Sequence, residues 1–171
     1  MKAKVFTLVV FFALIVAPGI SQEKTKKELK EERKLEKMNL VEALVNAREF
    51  VFVARTANPM GYKSVNLTTN PNFVKYHPDL IESEMPYFGT AYSAVGYSGD
   101  TGLKFKGKPE EYTVVKKKNG FQIDATVKGE SDNFRLSLMV GFEGSSSLSI
   151  TSNNRSTISY NGEISSPEKK D

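Results

Sequence analysis

The stretches "YTVVKKKNGFQIDATV", residues 112–127, and "FRLSLMVGF", residues 134–142, decide the fold. In the first, Phe121, Ile123, Ala125 and Val127 alternate with Gln122, Asp124 and Thr126, so an extended chain has one apolar and one polar face. The second repeats this, with Phe134, Leu136, Leu138, Val140 and Phe142 inward against Arg135, Ser137, Met139 and Gly141. Asn119-Gly120 lies between residues 112–118 and Phe121. It is the strongest short hairpin signal, because a type I′ turn needs positive φ at both central residues. The spacing therefore predicts antiparallel neighbours, with Phe121, Ile123, Phe134, Leu136 and Leu138 in one core.

The twofold period recurs on both sides of these runs. Further strands are predicted at 50–56, 64–68, 73–76, 80–84, 102–106, 147–152 and 157–164. Nine or ten short strands with no helix between them predict an all-β domain, an antiparallel meander curling into a barrel or a sandwich. An N-terminal helix precedes it. Residues 23–49, EKTKKELKEERKLEKMNLVEALVNARE, lack Gly and Pro and are rich in helix formers. Leu40, Val41, Leu44 and Val45 share one helical face, which predicts a packed helix over 36–48. Upstream, attractive and repulsive i, i+4 charge pairs are mixed, and each is worth only a few tenths of a kcal/mol. That stretch reads as a charged leader holding the domain off the envelope, or as a coiled-coil or partner-binding helix.

Residues 1–22, MKAKVFTLVVFFALIVAPGISQ, place Lys2 and Lys4 before an apolar run and a Pro18-Gly19 break. This is the pattern of a secretory signal peptide, with cleavage expected before Gln22. The apolar run falls short of the roughly 20 residues that span a bilayer. A retained anchor is the alternative, whereas lipoprotein acylation needs a cysteine and the chain has none. The expected organisation is a signal peptide at 1–21, a charged helical leader at 22–38, a single β-rich domain at 39–165 and a disordered tail at 166–171. The product is expected to be exported, periplasmic or secreted, with no transmembrane segment after cleavage.

Without cysteine, an exported chain has no disulfide framework and relies on its core. Between Asn39 and Pro167, Lys and Arg balance Asp and Glu at thirteen each, so the body is neutral despite a formal charge of +4 for the whole chain. A neutral body argues against nucleic acid as a partner.

Little chemistry is in sight. The sole histidine, His77, precedes Pro78 and has neither a Cys nor another His to share a zinc site with. Serines abound, yet none sits in a nucleophile-elbow motif, so a Ser-His-Asp triad is only formally possible. Glu82 and Glu84 share a strand face and could mimic a glycosidase carboxylate pair, although solvent-facing acids explain them as well. Residues 98–102, SGDTG, offer one carboxylate, too few for calcium. No catalytic residue, metal site or cofactor is therefore expected.

Two segments remain. Residues 86–102, PYFGTAYSAVGYSGDTG, bring Tyr87, Phe88, Tyr92 and Tyr97 among glycines, as core or as the rim of a site. In "ITSNNRSTISYNGEI", residues 150–164, a polar knot interrupts two alternating runs and reads as a hairpin connection. Asn suits such a turn because it tolerates the left-handed region. Arg155 is harder to derive from turn chemistry. Any ligand site is thus expected to use Tyr87, Phe88, Tyr92, Tyr97 and Arg155. A non-catalytic small-molecule or glycan binding module of the envelope is the leading reading; a structural or protein-interaction module is the alternative, with a hydrolase behind. The partner would be a small molecule, a glycan or an envelope protein.

"TANPMGYKSVNLT" (56–68), "PYFGTAY" (86–92) and above all "ITSNNRSTISYNGEI" make residues 39–165 resemble the DUF4251 domain family, exported proteins of unknown function common in Bacteroides and its relatives. The resemblance implies a signal peptide and a charged helical leader, and supplies no activity.

Overall fold

The computed structural model describes residues 25–69, 72–92, 102–129 and 132–167. The leader cleavage site, Tyr97 and the last four residues of the predicted tail lie outside them. Two compact units are distinguished, Met1–Glu32 and Arg33–Asp171, and the boundary falls inside the helix α1, Lys26–Ala47.

Helix α1 starts where its sequence can satisfy its first donors. Thr25 Oγ1 accepts from the Glu28 backbone N–H at 3.3 Å while Glu28 Oε2 accepts from the Thr25 N–H at 2.8 Å, a reciprocal capping box. The helix ends in a Schellman arrangement, with Arg48 N–H on Val45 O and Glu49 N–H on Leu44 O. That motif requires a left-handed residue, and Arg48 takes it at φ 54°. The strain of a non-glycine there is offset by a cation–π contact, the Arg48 guanidinium lying 4.5 Å from the Tyr112 ring centroid. Only Val41 and Val45 are buried; Leu44 is half-buried and Leu40 is 52 % exposed, so the packed face is narrower than the predicted four residues. No helix among the described residues is long and apolar enough to cross a membrane.

Ten antiparallel strands follow: β1 (Phe50–Pro59), β2 (Val65–Asn66), β3 (Phe73–His77), β4 (Leu80–Met85), β5 (Leu103–Gly107), β6 (Pro109–Lys117), β7 (Gly120–Lys128), β8 (Asn133–Gly141), β9 (Ser145–Ser152) and β10 (Ile158–Ser165). Their order is β5-β4-β3-β1-β10-β9-β8-β7-β6, with β2 beside β1. The sheet curls into a nearly closed barrel, the first of the two predicted closures. One end strand reaches across to the far side of the sheet through side chains: Phe105 of β5 stacks on Phe134 of β8 at 4.2 Å between centroids.

The predicted alternation is realised across β7, β8 and β9, where Ile123 faces Leu138 and Leu138 faces Leu148, all under 2 % exposed. Tyr76, Tyr160, Phe50, Phe52, Leu67 and Ile81 fill the interior to the same degree. Each such side chain contributes roughly 1.5–3 kcal/mol by leaving water. β1 is the corner strand. A bulge between Ala54 and Thr56 bends it, so that it pairs with β3 before the bulge and with β2 after it. Gly162 sits against that bend, and a Cβ there would collide with the Val53 carbonyl.

The β6–β7 hairpin forms, but not through the predicted turn. Lys117 pairs with Gly120, which makes Lys118 and Asn119 the loop residues, and neither has positive φ. Gly120 is needed for a different reason: a Cβ on it would strike the Val140 carbonyl.

Candidate functional site

The polar knot is a receptor for the aromatic segment. After β4 the chain crosses to the β9–β10 connection, where Ala91 and Arg155 form an isolated antiparallel bridge. Tyr92 N–H donates to Asn154 O at 2.8 Å and Ser156 N–H to Thr90 O at 2.9 Å. The Tyr87 hydroxyl lies 2.8 Å from Thr90 O, 2.8 Å from Ser156 Oγ and 3.0 Å from Ser156 O. Its single proton can serve one carbonyl, while Ser156 Oγ also accepts from the Thr90 N–H at 3.1 Å. From the barrel interior, Tyr160 donates to Pro86 O at 2.7 Å. Burial pushes the Tyr160 phenol well above its ordinary value, with Tyr87 adding to the effect and Arg155 opposing it.

Of the residues expected to form a site, four can be placed. Tyr87 is buried, and Arg155 is only 8 % exposed. The Arg155 guanidinium donates from Nη1 to Gly102 O at 2.9 Å and stands 5.2 Å from the Tyr87 ring centroid. Phe88 and Tyr92 instead face outward, 37 % and 69 % exposed. The knot itself does not use the left-handed region: neither Asn153 nor Asn154 has positive φ. Asn153 N–H is held by Asp132 Oδ1 at 3.0 Å, and that oxygen also accepts from the Asn133 N–H at 2.8 Å. Asp132 was not among the expected residues, since nothing local in the sequence shows that the two loops meet.

Elsewhere the acids are engaged. Glu82 pairs with Lys106 across β4 and β5 at 3.0 Å, and Glu84 with Lys104 at 3.9 Å. The hydrogen bond from Lys106 holds the Glu82 carboxyl below its ordinary value, against the opposing effect of burial. A general acid needs the reverse shift. His77 ends β3 opposite Leu80. Among the described residues no cluster of three or more His, Cys, Asp or Glu is placed to hold a metal ion.

One concave surface was not anticipated. Two hollows of about 490 and 810 Å³ on the barrel share Asn119, Gly141, Ser145 and Gly162, and so form one groove. Its floor is poor in side chains because glycines and serines of neighbouring strands fall side by side across the sheet. Lys34, Lys37 and Arg55 line the larger hollow. Lys34 pairs with Glu143 at 3.4 Å and Arg55 with Glu163 at 2.6 Å, whereas Lys37 makes no ion pair among the described residues.

One helix leading into an antiparallel barrel with a filled interior defines the class of the molecule, a mostly β domain. The chain belongs to the DUF4251 family: residues 32–164 match the family described as "Domain of unknown function (DUF4251)". Among solved structures it is similar to a DUF4251 family protein from Bacteroides eggerthii, with a TM-score of 0.60 and 18 % identity, covering 77 % of this chain and 88 % of that one. At that identity the likeness speaks for the fold. No curated protein matches the chain.

Proposed function

We propose that the protein is an exported, non-catalytic binding module of the cell envelope that takes a polar, anionic ligand, such as a segment of acidic glycan, in the groove over Asn119, Gly141, Ser145 and Gly162. The observation that carries this reading is the groove itself. It combines a floor open to a ligand's backbone with four cationic side chains, Lys34, Lys37, Arg55 and Lys117, against two acids, Glu143 and Glu163. Concave surfaces with a few convergent polar groups are the ordinary ligand sites of proteins. Arg55 can offer a fork to a carboxylate, and Lys37 a point charge.

A second reading is favoured by Tyr92, which stands 69 % exposed while the backbone is held at Thr90 O and at its own N–H. There Phe88 and Tyr92 would stack on sugar faces, with Tyr87 and Arg155 holding the backbone behind them.

A thermal-shift screen of the protein against acidic and neutral oligosaccharides decides between the two, because a ligand of the native state raises its stability. Lys37→Glu should abolish the shift produced by an acidic glycan and leave the fold intact. Loss on Tyr92→Ala with retention on Lys37→Glu would move the site to the aromatic rim. No shift with any saccharide would refute both. Export is tested separately: the intact mass of the exported protein should begin at Gln22, and retention of Met1 would overturn it.

A further inference from the structure

We propose that β6 is a dimerisation edge, and that its partner is β6 of a second copy, joined antiparallel about a two-fold axis at Val114. The strand closes one end of the sheet order and pairs only with β7 among the described residues. Its other edge therefore presents a row of backbone donors and acceptors. At nine residues it is the longer of the two terminal strands, for β5 has five and carries Lys104 and Lys106. Natural sheets blunt such edges with charge, proline or shortness. In β6 the only proline is its first residue, and the centre is Tyr112-Thr113-Val114-Val115. Val114 and Val115 are 37 % and 46 % exposed, although β-branched residues in a sheet are ordinarily packed on one side.

Charge identifies the occupant. The strand reads PEEYTVVKK, acidic at its start and basic at its end. Antiparallel edges related by a two-fold axis perpendicular to the sheet place residues of the same face opposite each other. With the axis at Val114, Thr113 faces Val115 and Tyr112 faces Lys116. Glu111 faces Lys117, and symmetry makes that pair twice. Glu111, Thr113, Val115 and Lys117 share the outer face, as shown by their partners Thr126, Asp124, Gln122 and Gly120 on β7. Neither Glu111 nor Lys117 has an ion-pair partner among the described residues, whereas Lys116, on the other face, is occupied by Glu42 at 2.7 Å. In this register the pattern is self-complementary, and it leaves the Lys116–Glu42 pair in place. A single strand pairing buries less than about 1,200 Å² of surface, so the dimer is weak and concentration-dependent.

Sedimentation of the purified protein over a concentration series reaching the millimolar range tests this. The wild type should show a monomer–dimer equilibrium, and exchange of the amide protons of residues 110–117 should slow as concentration rises. Glu111→Lys turns two attractive pairs into repulsive ones and should weaken association by about tenfold or more. Glu111→Lys combined with Lys117→Glu restores both pairs in reverse and should return association to the wild-type level. Both residues are exposed, so circular dichroism should be unchanged. A protein that stays monomeric throughout, or a Glu111→Lys variant that associates like the wild type, would overturn the proposal. So would a double variant that stays as weak as the single one.

Discussion

Replacing Arg155 by Ala should destabilise the protein. The guanidinium donates a charge-assisted hydrogen bond to Gly102 O at 2.9 Å, and such bonds are worth about 1.5–3 kcal/mol. Its approach to the Tyr87 ring at 5.2 Å adds about 0.5–2 kcal/mol, toward the upper end because the site is dry. Removing a desolvated charge returns part of this, which leaves a net loss of about 2–4 kcal/mol. Against a total stability of about 5–15 kcal/mol this is a large fraction. A fall of about 5–10 °C in Tm should accompany it in a domain of this size.

Urea unfolding followed by far-UV circular dichroism and tyrosine fluorescence measures the loss, the chain having seven tyrosines and no tryptophan. Arg155→Lys keeps the charge but not the planar fork, and should recover less than half of it. An Arg155→Ala variant within about 0.5 kcal/mol of wild type would refute the reasoning, since substitutions at uncommitted surface positions lie in that range. If the variant were equally stable but lost a ligand, the guanidinium would belong to a binding site and not to the contacts with Gly102 and Tyr87.

Leu136 is fully buried between Ala125 of β7 and Ile150 of β9, so Leu136→Ala should cost about 2–5 kcal/mol by chemical denaturation; a near-zero change would mean that the strand faces are reversed. Alkali should unfold the protein. Burial raises the phenols of Tyr76 and Tyr160, and that of Tyr112 to about 12, so the unfolded chain loses these protons first and stability falls as pH rises above about 10. Tyr76 and Tyr160 each contribute a slope of about 1.4 kcal/mol per pH unit there, and Tyr112, nearer to water, less. Phenolate absorbance reaching the value for all seven tyrosines before the circular dichroism signal is lost would contradict this. EDTA should leave Tm unchanged; a drop reversed by one metal would reveal a site that the described residues do not show.

The strands were legible because each buried face repeats every second residue, and β7 and β8 need nothing else to be recognised. What a strand's neighbours are is not written in its own pattern. Tyr112 and Val114 alternate with Thr113 as a core face would, yet β6 lies at the sheet's end and Val114 stays 37 % exposed. Leu40 failed for a related reason, since a helix resting on one row of side chains buries Val41 and Val45 and leaves the next row in water. The knot at Arg155 could be read as a hairpin connection, but its purpose depends on a hydroxyl 69 residues away, at Tyr87, and on a carbonyl 53 residues away, at Gly102. Pairings at that separation leave no local trace.

The filled interior also bears on the groove proposed as the ligand site. Barrels that carry small ligands inside keep part of the lumen free of side chains. Here Tyr76, Tyr160, Phe50 and Phe52 converge from β3, β10 and β1 and are each under 2 % exposed, and Phe105 and Phe134 close the seam by stacking. Admitting a ligand among them would mean displacing aromatic side chains, at about 3–5 kcal/mol for each one lost from the core. A solvent-facing groove needs no such rearrangement. Its floor lies where Gly141, Ser145 and Ser147 stand in place of larger outward side chains.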